Sequence, residues 1–270
     1  MPELPEVETS RRGIEPHLLN KTIKSIEVRQ HKLRWPVPEN LASLASGKKI
    51  RGVCRRAKYI YLKLDNGCII IHLGMSGSLR ICQKEMPPEK HDHIDICVSN
   101  IILRLRDPRK FGCVLWSPID INEHKLIKAL GPEPLTAKFN ASYLRKKANK
   151  RQCSIKAFIM NSHIVVGVGN IYASESLFKA GINPKRKAGN ISLNRLQKLV
   201  DAIKHTLTEA IKQGGTTLRD FTSETGQPGY FAQKLLVYGK ADEDCTVCGK
   251  PIKQIKQQAR STYYCANCQR

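Results

Sequence analysis

The stretch Gly131-Pro132-Glu133-Pro134 divides the 270-residue chain into two segments with different apolar periodicities. Proline fixes its own φ and lacks a backbone N–H, so two prolines in three residues oppose both a helix and a central strand. We therefore place a domain boundary here. A chain of this length, with 41% hydrophobic residues, is long enough to form two domains with separate cores.

Before this boundary, the sequence predicts one helix, Pro5–Leu19, followed by short strands. Asp65-Asn66-Gly67 is a hairpin turn signal between two of the strands. Regular short strands separated by turns are typical of a β-sandwich or a barrel. The predicted strands are Ile23–Val28, Ile50–Cys54, Tyr59–Leu64, Cys68–Leu73, Ile94–Val98, Ile101–Leu105 and Gly112–Trp116.

Beyond the boundary, apolar residues recur with a helical period. The period is clearest in Leu193–Gln213, where they fall at i, i+3, i+4 and i+7, and Gly214-Gly215 is suited to end that helix. Thr216–Ala232 has no sustained apolar period and is predicted to be a mobile loop. The other predicted helices are Tyr143–Ala148, Ile155–Met160 and Ile171–Ala180.

A glycine-bearing turn, 165–170, lies between two of these predicted helices and ends at Asn170. One interpretation is that Asn170 offers its side-chain amide to a phosphate group. The other is that the glycines only allow close helix packing and that Asn170 caps the next helix. The spacing alone does not decide between them.

Four cysteines near the C-terminus form two C-x2-C pairs, Cys245-Thr-Val-Cys248 and Cys265-Ala-Asn-Cys268. Their spacing is typical of a four-thiolate zinc site, and a closed shell of four ligands leaves no open position for catalysis. We predict one structural Zn²⁺, with strands near Pro251–Ile255 and Ser261–Tyr264. The other six cysteines are scattered without a disulfide framework, which favours a reducing compartment. They are Cys54, Cys68, Cys82, Cys97, Cys113 and Cys153.

The charge of the chain indicates a polyanionic partner. The 46 Lys and Arg residues exceed the 23 Asp and Glu residues, for a net charge of +23 and a pI near 9.8. Nucleic acid is the expected ligand, although a solvated basic surface or an RNA-binding protein is also compatible with charge alone. The sequence has neither an apolar run long enough to span a membrane nor a secretory signal pattern, so we expect no membrane association or export.

The N-terminal sequence Met1-Pro2-Glu3-Leu4-Pro5-Glu6 has two interpretations. If Met1 is removed, Pro2 gains a free secondary amine, and an α-amino group has a pKa of about 8. Such an amine can attack a sugar anomeric carbon and form a charged iminium. Alternatively, the prolines and acids only begin a helix, since both are favoured in a first turn.

Seven motifs occur together in one order, and together they resemble the bacterial formamidopyrimidine-DNA glycosylases, also known as 8-oxoguanine DNA glycosylases. The resemblance covers essentially the whole chain. The motifs are Pro2-Glu3-Leu4-Pro5-Glu6-Val7-Glu8-Thr9, Arg55-Arg56-Ala57-Lys58-Tyr59, His72-Leu73-Gly74-Met75-Ser76-Gly77, Lys90-His91-Asp92-His93, Asp107-Pro108-Arg109-Lys110-Phe111-Gly112, Gly169-Asn170-Ile171-Tyr172 and the four cysteines.

The resemblance implies an α+β fold with three parts. An N-terminal helix and β-sandwich form a catalytic domain over residues 1–131. A helical DNA-binding domain with a helix–two-turn–helix motif covers 135–235, and a zinc finger covers 236–270. The expected partner is damaged double-stranded DNA, bound by a monomer in the bacterial cytoplasm during base excision repair.

The resemblance also implies five catalytic residues. Pro2 attacks C1′ of a flipped-out nucleotide and forms the iminium. Glu3 protonates the sugar oxygen, and Glu6 holds water or orients the amine. Lys58 is the proton donor for β-elimination. Arg260 matches the donor for δ-elimination, although a guanidinium that stays protonated is better suited to clamp a phosphate.

Eight further residues match family positions that contact DNA. Met75, Arg109 and Phe111 fill the gap left by the extruded base, and Arg109 pairs with the orphaned cytosine. The remaining five are expected at other DNA contacts. They are His72, His91, Arg151, Lys156 and Asn170.

Two alternative functions remain open at this point. Endonuclease VIII shares the architecture but acts on oxidised pyrimidines, and its N-terminus usually reads Pro-Glu-Gly-Pro, whereas Leu4 stands here. A noncatalytic zinc-ribbon DNA-binding protein needs no free Pro2. The sequence does not determine the preference between 8-oxoguanine and ring-opened purines.

Overall fold

The computed structural model describes residues 2–214 and 235–270. The described chain forms two compact units, one containing 2–128 and the other containing 129–212 together with 235–270. The predicted mobile loop Thr216–Ala232 lies outside the described residues, as does Gly215 of the predicted helix cap. Within 2–214 and 235–270, no helix combines the length and apolar character needed to cross a membrane.

The first unit begins with helix α1 (Leu4–Leu18), which starts and ends one residue earlier than predicted. Pro5 lies in its first turn, where a missing N–H removes no intrahelical bond. Its apolar face buries Leu4, Val7 and Ile14. A second short helix, α2 (Leu41–Ala45), was not predicted, since five residues are too few to show a helical period.

Within 2–128, eight strands form two antiparallel four-stranded sheets, with orders β1-β6-β7-β5 and β2-β3-β4-β8. Both sheets and α1 contribute to a single apolar core, so the predicted β-sandwich is confirmed. The strands are β1 (Ile23–Val28), β2 (Gly52–Arg56), β3 (Tyr59–Leu64), β4 (Gly67–His72), β5 (Ser78–Gln83), β6 (Asp92–Val98), β7 (Ile101–Arg106) and β8 (Cys113–Ser117).

β1 and β3 have the predicted bounds, whereas one strand was missed and the other five differ from the prediction by one or two residues. β5 was missed, because Arg80 interrupts a short run that follows two glycines. β2 lies two residues later than predicted, since its charged end, Arg55-Arg56, pairs with β3 rather than forming a loop. The prediction therefore underestimated how far polar residues extend into the sheets.

Over 129–212 and 235–270, the second unit contains four α-helices and a β-hairpin. Asn140 and Ser154 cap α3 and α4, because their side-chain oxygens accept backbone N–H groups in the first turn. Successive turns over 161–169 connect α4 to α5, and Gly167 there has a φ of +80°. The elements are α3 (Ala141–Ala148), α4 (Ile155–Met160), α5 (Asn170–Lys179), α6 (Leu193–Lys212), β9 (Lys253–Gln257) and β10 (Arg260–Tyr264).

Candidate nucleic-acid interface and zinc centre

The start of α1 buries two predicted catalytic carboxylates, Glu3 and Glu6, which are 3% and 1% exposed. The backbone N–H of Glu3 donates to Glu6 Oε2 at 2.8 Å, and the two residues form a capping box. Pro2 directly precedes them and is also buried. The structure thus gives Glu6 a helix-capping contact, and its role in orienting the Pro2 amine stays a prediction.

Lys58 lies in the two-residue turn that joins β2 to β3, next to the closing pair Arg56 and Tyr59. The other turn residue, Ala57, has a φ of +55°, in the left-handed region that favours glycine. Arg55 Nη1 donates to the Ala57 carbonyl at 2.8 Å. The predicted cation therefore stands on a strained turn that a neighbouring side chain holds.

The three residues predicted to fill the gap in the base stack lie on two loops of the first unit. Met75 and Phe111 are 36% and 44% exposed, although large apolar side chains are more often buried. Arg109 Cζ lies 5.4 Å from the centroid of the Phe111 ring. Exposed apolar and planar side chains of this kind can insert between bases, as the predicted role requires.

Asp107 connects these two loops, and sequence reasoning missed it. Its buried carboxylate accepts from Ser76 Oγ at 3.2 Å and from the backbone N–H of Gly112 at 2.7 Å. Gly74 approaches the second loop so closely that a Cβ would lie 2.4 Å from the Gly112 nitrogen. The Asp-Pro-Arg motif was visible, but it gave no sign that its acid binds the loop of Met75.

Both predicted histidines carry lowered pKa values. Burial, together with the charges of Lys58 and Arg34, lowers the pKa of His72 to about 4. His72 Nδ1 accepts from the Gly74 N–H at 2.9 Å, so the neutral ring carries its proton on Nε2. Desolvation, with nearby positive charges, lowers the pKa of His91. His72 can thus offer an uncharged N–H donor to a phosphate at neutral pH.

In the second unit, Lys156 and Asn170 meet beneath the β9–β10 hairpin. The buried Lys156 ammonium donates to Asn170 Oδ1 at 2.6 Å, Ser261 O at 3.1 Å and Thr262 Oγ1 at 2.7 Å. Asn170 Nδ2 donates to the Ser261 carbonyl at 2.9 Å. The ammonium therefore positions the hairpin, and its predicted DNA contact stays a prediction.

The proposal that Asn170 caps the following helix is wrong, because Gly169 is the N-cap and Asn170 is the first residue of α5. The side-chain amide of Asn170 instead contacts the hairpin. The prediction that it reaches a phosphate remains untested.

Arg151 and Arg260 line one cavity of about 290 Å³ in the second unit. Each follows a left-handed residue: Lys150 has a φ of +58°, and Ala259 has a φ of +59°. Two guanidinium groups at one recess favour an anionic ligand such as a phosphate. The other lining residues are Cys153, Ala157, Phe158, Met160, Asn161, Ile164 and Gln258.

Left-handed backbone is concentrated near the candidate site residues of each unit. Among the described residues, nine other than glycine have a positive φ, and six of these are candidate site residues or lie within two residues of one. Conformations of this kind persist at functional sites when the surrounding structure holds them. The six are Ala57, His91, Lys110, Lys150, Gln258 and Ala259.

The four predicted zinc ligands lie together, with their Sγ atoms all within 4.8 Å of one another. Cys245 and Cys268 are 3.9 Å apart at sulfur, and Cys248 and Cys265 are 3.5 Å apart. Tetrahedral Zn²⁺ with bonds of about 2.3 Å requires sulfurs about 3.8 Å apart. A backbone hydrogen bond at Lys250 helps lower the pKa of Cys248 to about 6, whereas burial raises the pKa of Cys265 and Cys268, so Cys248 is the first of these three thiols to ionise. The donor set fits one structural zinc ion.

Glu175 is a second anchor that sequence reasoning missed. It lies on α5, is 1% exposed and accepts three backbone N–H groups, from Leu236, Val237 and Tyr238, each at 2.9 Å. These residues lead into the zinc hairpin, so one carboxylate attaches that segment to α5. The available signal was an acid that shares a helix face with Ile171, Tyr172 and Phe178, at i−4, i−3 and i+3.

Three family profiles match the chain in the order of these structural parts. Residues 1–114 match the formamidopyrimidine-DNA glycosylase N-terminal domain. Residues 130–222 match the H2TH domain of that glycosylase, and 242–270 match the zinc finger found in FPG and IleRS. The combination defines a sandwich protein with a helix–two-turn–helix segment and a zinc hairpin.

The chain belongs to the formamidopyrimidine-DNA glycosylase family. It is 57% identical to the formamidopyrimidine-DNA glycosylase of Marinobacter nauticus and 55% identical to that of Escherichia coli, each over 271 residues and the full length of both chains. These relatives extend the likeness beyond the individual motifs.

Solved structures show the same fold. A Lactococcus lactis FPG mutant in complex with Fapy-dG-containing DNA has a TM-score of 0.93 at 36% identity, covering 99% of each chain. The MutM (FPG) protein of Thermus thermophilus has a TM-score of 0.90 at 32% identity, covering 99% of this chain and 98% of that one. The L. lactis protein was also solved with DNA containing an abasic site.

Proposed function

We propose that this chain is a bifunctional DNA glycosylase and AP lyase of base excision repair, acting on oxidised purines such as 8-oxoguanine and formamidopyrimidines in duplex DNA. The observation that carries the proposal is the buried Pro2-Glu3 pair at the start of α1. It supplies an amine and a carboxylic acid to one reaction centre. Family membership over the whole chain supports the substrate class.

The first step is base removal by Pro2. With Met1 cleaved, the amine attacks C1′ of the flipped nucleotide, and the base leaves with the electrons of the glycosidic bond. Glu3 protonates the sugar ring oxygen, so the ring opens and an iminium joins Pro2 to C1′. A secondary amine gives only this charged product, which acts as an electron sink.

The second step is strand cleavage by elimination. The iminium acidifies the C2′ hydrogen, whose loss expels the 3′ phosphate, and a further elimination expels the 5′ phosphate. Lys58 serves the β-elimination as proton donor. Arg260 clamps a phosphate, because the planar set of donors on a guanidinium matches phosphate oxygens.

Borohydride trapping tests this mechanism. Duplex DNA with one 8-oxoguanine opposite cytosine is incubated with the protein, and the reduced adduct is mapped by mass spectrometry. We expect a covalent adduct at Pro2 and none with Pro2→Gly, which retains lesion-DNA affinity. Absence of an adduct from protein that lacks Met1 and holds zinc contradicts the proposal for this substrate.

The second candidate function, excision of oxidised pyrimidines, is tested by the same assay with a pyrimidine lesion. The presence of Leu4 instead of glycine favours the purine activity. If Pro2→Gly binds DNA as before and the parent protein cleaves neither lesion, a noncatalytic DNA-binding protein is the better description.

We further propose a monomer that works in the bacterial cytoplasm, with domain boundaries near 131–135 and 235–236. The scattered thiols and the bacterial sources of the relatives support this location. Light scattering of the protein with and without DNA tests the monomer.

A further inference from the structure

Glu8, two residues beyond Glu6 on α1, binds three guanidinium groups. Its Oε1 accepts from Arg11 Nη2 at 3.0 Å and Arg12 Nε at 2.9 Å, and its Oε2 accepts from Arg55 Nε at 2.9 Å. Burial alone raises the pKa of this carboxyl, but the hydrogen bonds from the arginines outweigh burial and lower it. Glu8 is therefore an anion at neutral pH.

Two of these three contacts are local to the helix. Arg11 and Arg12 follow Glu8 by three and four residues, the spacing of ordinary helix-stabilising pairs. Arg55 is different, because it comes from β2, 47 residues along the chain, and its side chain is only 13% exposed. This contact joins α1 to the β2–β3 hairpin.

Arg55 carries the connection one step further. Its Nη1 donates to the carbonyl of Ala57, the left-handed and buried turn residue that directly precedes Lys58. A φ of +55° is unfavourable for alanine, so the turn depends on hydrogen bonds from neighbouring side chains such as Arg55. The path from Glu8 to the Lys58 backbone therefore consists of two short hydrogen-bonded steps.

We propose that Glu8 and Arg55 are positioning residues that set the Lys58 turn against the start of α1, where Pro2, Glu3 and Glu6 lie. The inference rests on the proposed function, because it assigns Lys58 to strand cleavage. Neither Glu8 nor Arg55 touches the reacting atoms in this assignment. Their loss displaces Lys58 from the iminium while leaving the Pro2-Glu3 pair on a helix that its apolar face holds.

The test measures base release and strand cleavage separately under single-turnover conditions. For Glu8→Gln and Arg55→Lys, we expect base release and lesion-DNA affinity within about twofold of the parent. We expect β-elimination to be slower by about tenfold to a hundredfold, since a misplacement of about 1 Å can cost about a hundredfold. The iminium should accumulate, which raises the fraction trapped by borohydride. Arg55→Lys keeps the charge but cannot make both contacts, so it separates geometry from electrostatics.

Arg12→Gln is the matched control, because Arg12 contacts the same carboxylate but is 58% exposed and stays within α1. It should behave as the parent in both steps. In the double variant Glu8→Gln/Arg55→Lys, elimination should be no slower than in either single variant, since both changes break one path.

Equal loss of base release and elimination in both single variants overturns the positioning role, as does unchanged elimination. If Glu8→Gln does not fold, shown by its circular dichroism, Arg55→Lys decides alone. The proposed function fails separately, when the parent protein itself neither releases the base nor forms the adduct.

Discussion

Replacement of Glu175 by glutamine should detach the segment that leads into the zinc hairpin. The carboxylate accepts three backbone N–H groups, with Val237 and Tyr238 on Oε1 and Leu236 on Oε2. Glutamine keeps one acceptor oxygen and puts an NH₂ group in the place of the other. If the oxygen stays with Val237 and Tyr238, the N–H of Leu236 faces the NH₂ group instead of an acceptor.

The size of the effect follows from these contacts. A buried N–H left without an acceptor costs about 1–3 kcal/mol, and each of the two remaining bonds loses about 1 kcal/mol when its acceptor loses charge. We expect the free energy of opening this segment to fall by about 3–5 kcal/mol, which corresponds to roughly a hundredfold to several thousandfold faster opening.

Hydrogen exchange of the amides of Leu236, Val237 and Tyr238 measures this opening directly. Glu243→Gln is the control, since that side chain is 60% exposed and its Oε2 lies 3.9 Å from Lys240 Nζ. The control should change exchange by less than threefold, because exposed pairs contribute about 0–1 kcal/mol. If Glu175→Gln exchanges no faster than the control, the carboxylate does not anchor the segment.

Three further perturbations test other parts of the structure. Asp107→Asn should weaken binding to lesion-containing DNA by about tenfold and change binding to undamaged DNA little. The reason is that Ser76 and Gly112 lose a charged acceptor worth about 1.5–3 kcal/mol. Fluorescence anisotropy measures both affinities, and equal losses on the two DNAs contradict this. Acidification should destabilise the first unit through His72, whose pKa of about 4 in the folded state lies below its ordinary value of 6.5, so the unfolded state binds the proton first. The free energy of unfolding should fall by about 3 kcal/mol between pH 6.5 and pH 4 because of this group. Urea titrations at several pH values should show that this free energy depends less on pH in His72→Gln. Removal of zinc by a chelator should abolish DNA binding and increase exchange in 242–270, with recovery on adding Zn²⁺, because a four-thiolate site contributes folding free energy.

The elements with a strong period were predictable from sequence. Leu193–Gln213 was predicted and α6 spans Leu193–Lys212, because its apolar residues recur over five turns. The zinc ligands were equally accessible, since the chemistry of a C-x2-C pair depends on neighbours along the chain. Both signals depend only on residues close together in the chain, so they can be recognised in the sequence alone.

Features that depend on distant residues were not predictable. Nothing local indicates that Lys156 is buried among hairpin acceptors, that Asp107 joins two loops or that Glu175 binds the backbone some sixty positions later. Each of these polar groups finds its partner only after the elements pack. Resemblance supplied Lys156 as a candidate, but Asp107 and Glu175 are recognisable as anchors only from the packed structure.

The left-handed residues near the candidate site residues allow those positions to be located by a stability measurement without DNA. Glycine adopts a positive φ without strain, so a glycine placed at such a position should raise the melting temperature, whereas glycine elsewhere usually lowers it. Six of the nine such positions among the described residues adjoin candidate site residues. In a thermal-shift scan of single glycine variants, the variants with a raised melting temperature would therefore mark positions where a strained backbone lowers stability. The same scan could locate reactive surfaces in proteins whose substrates are unknown.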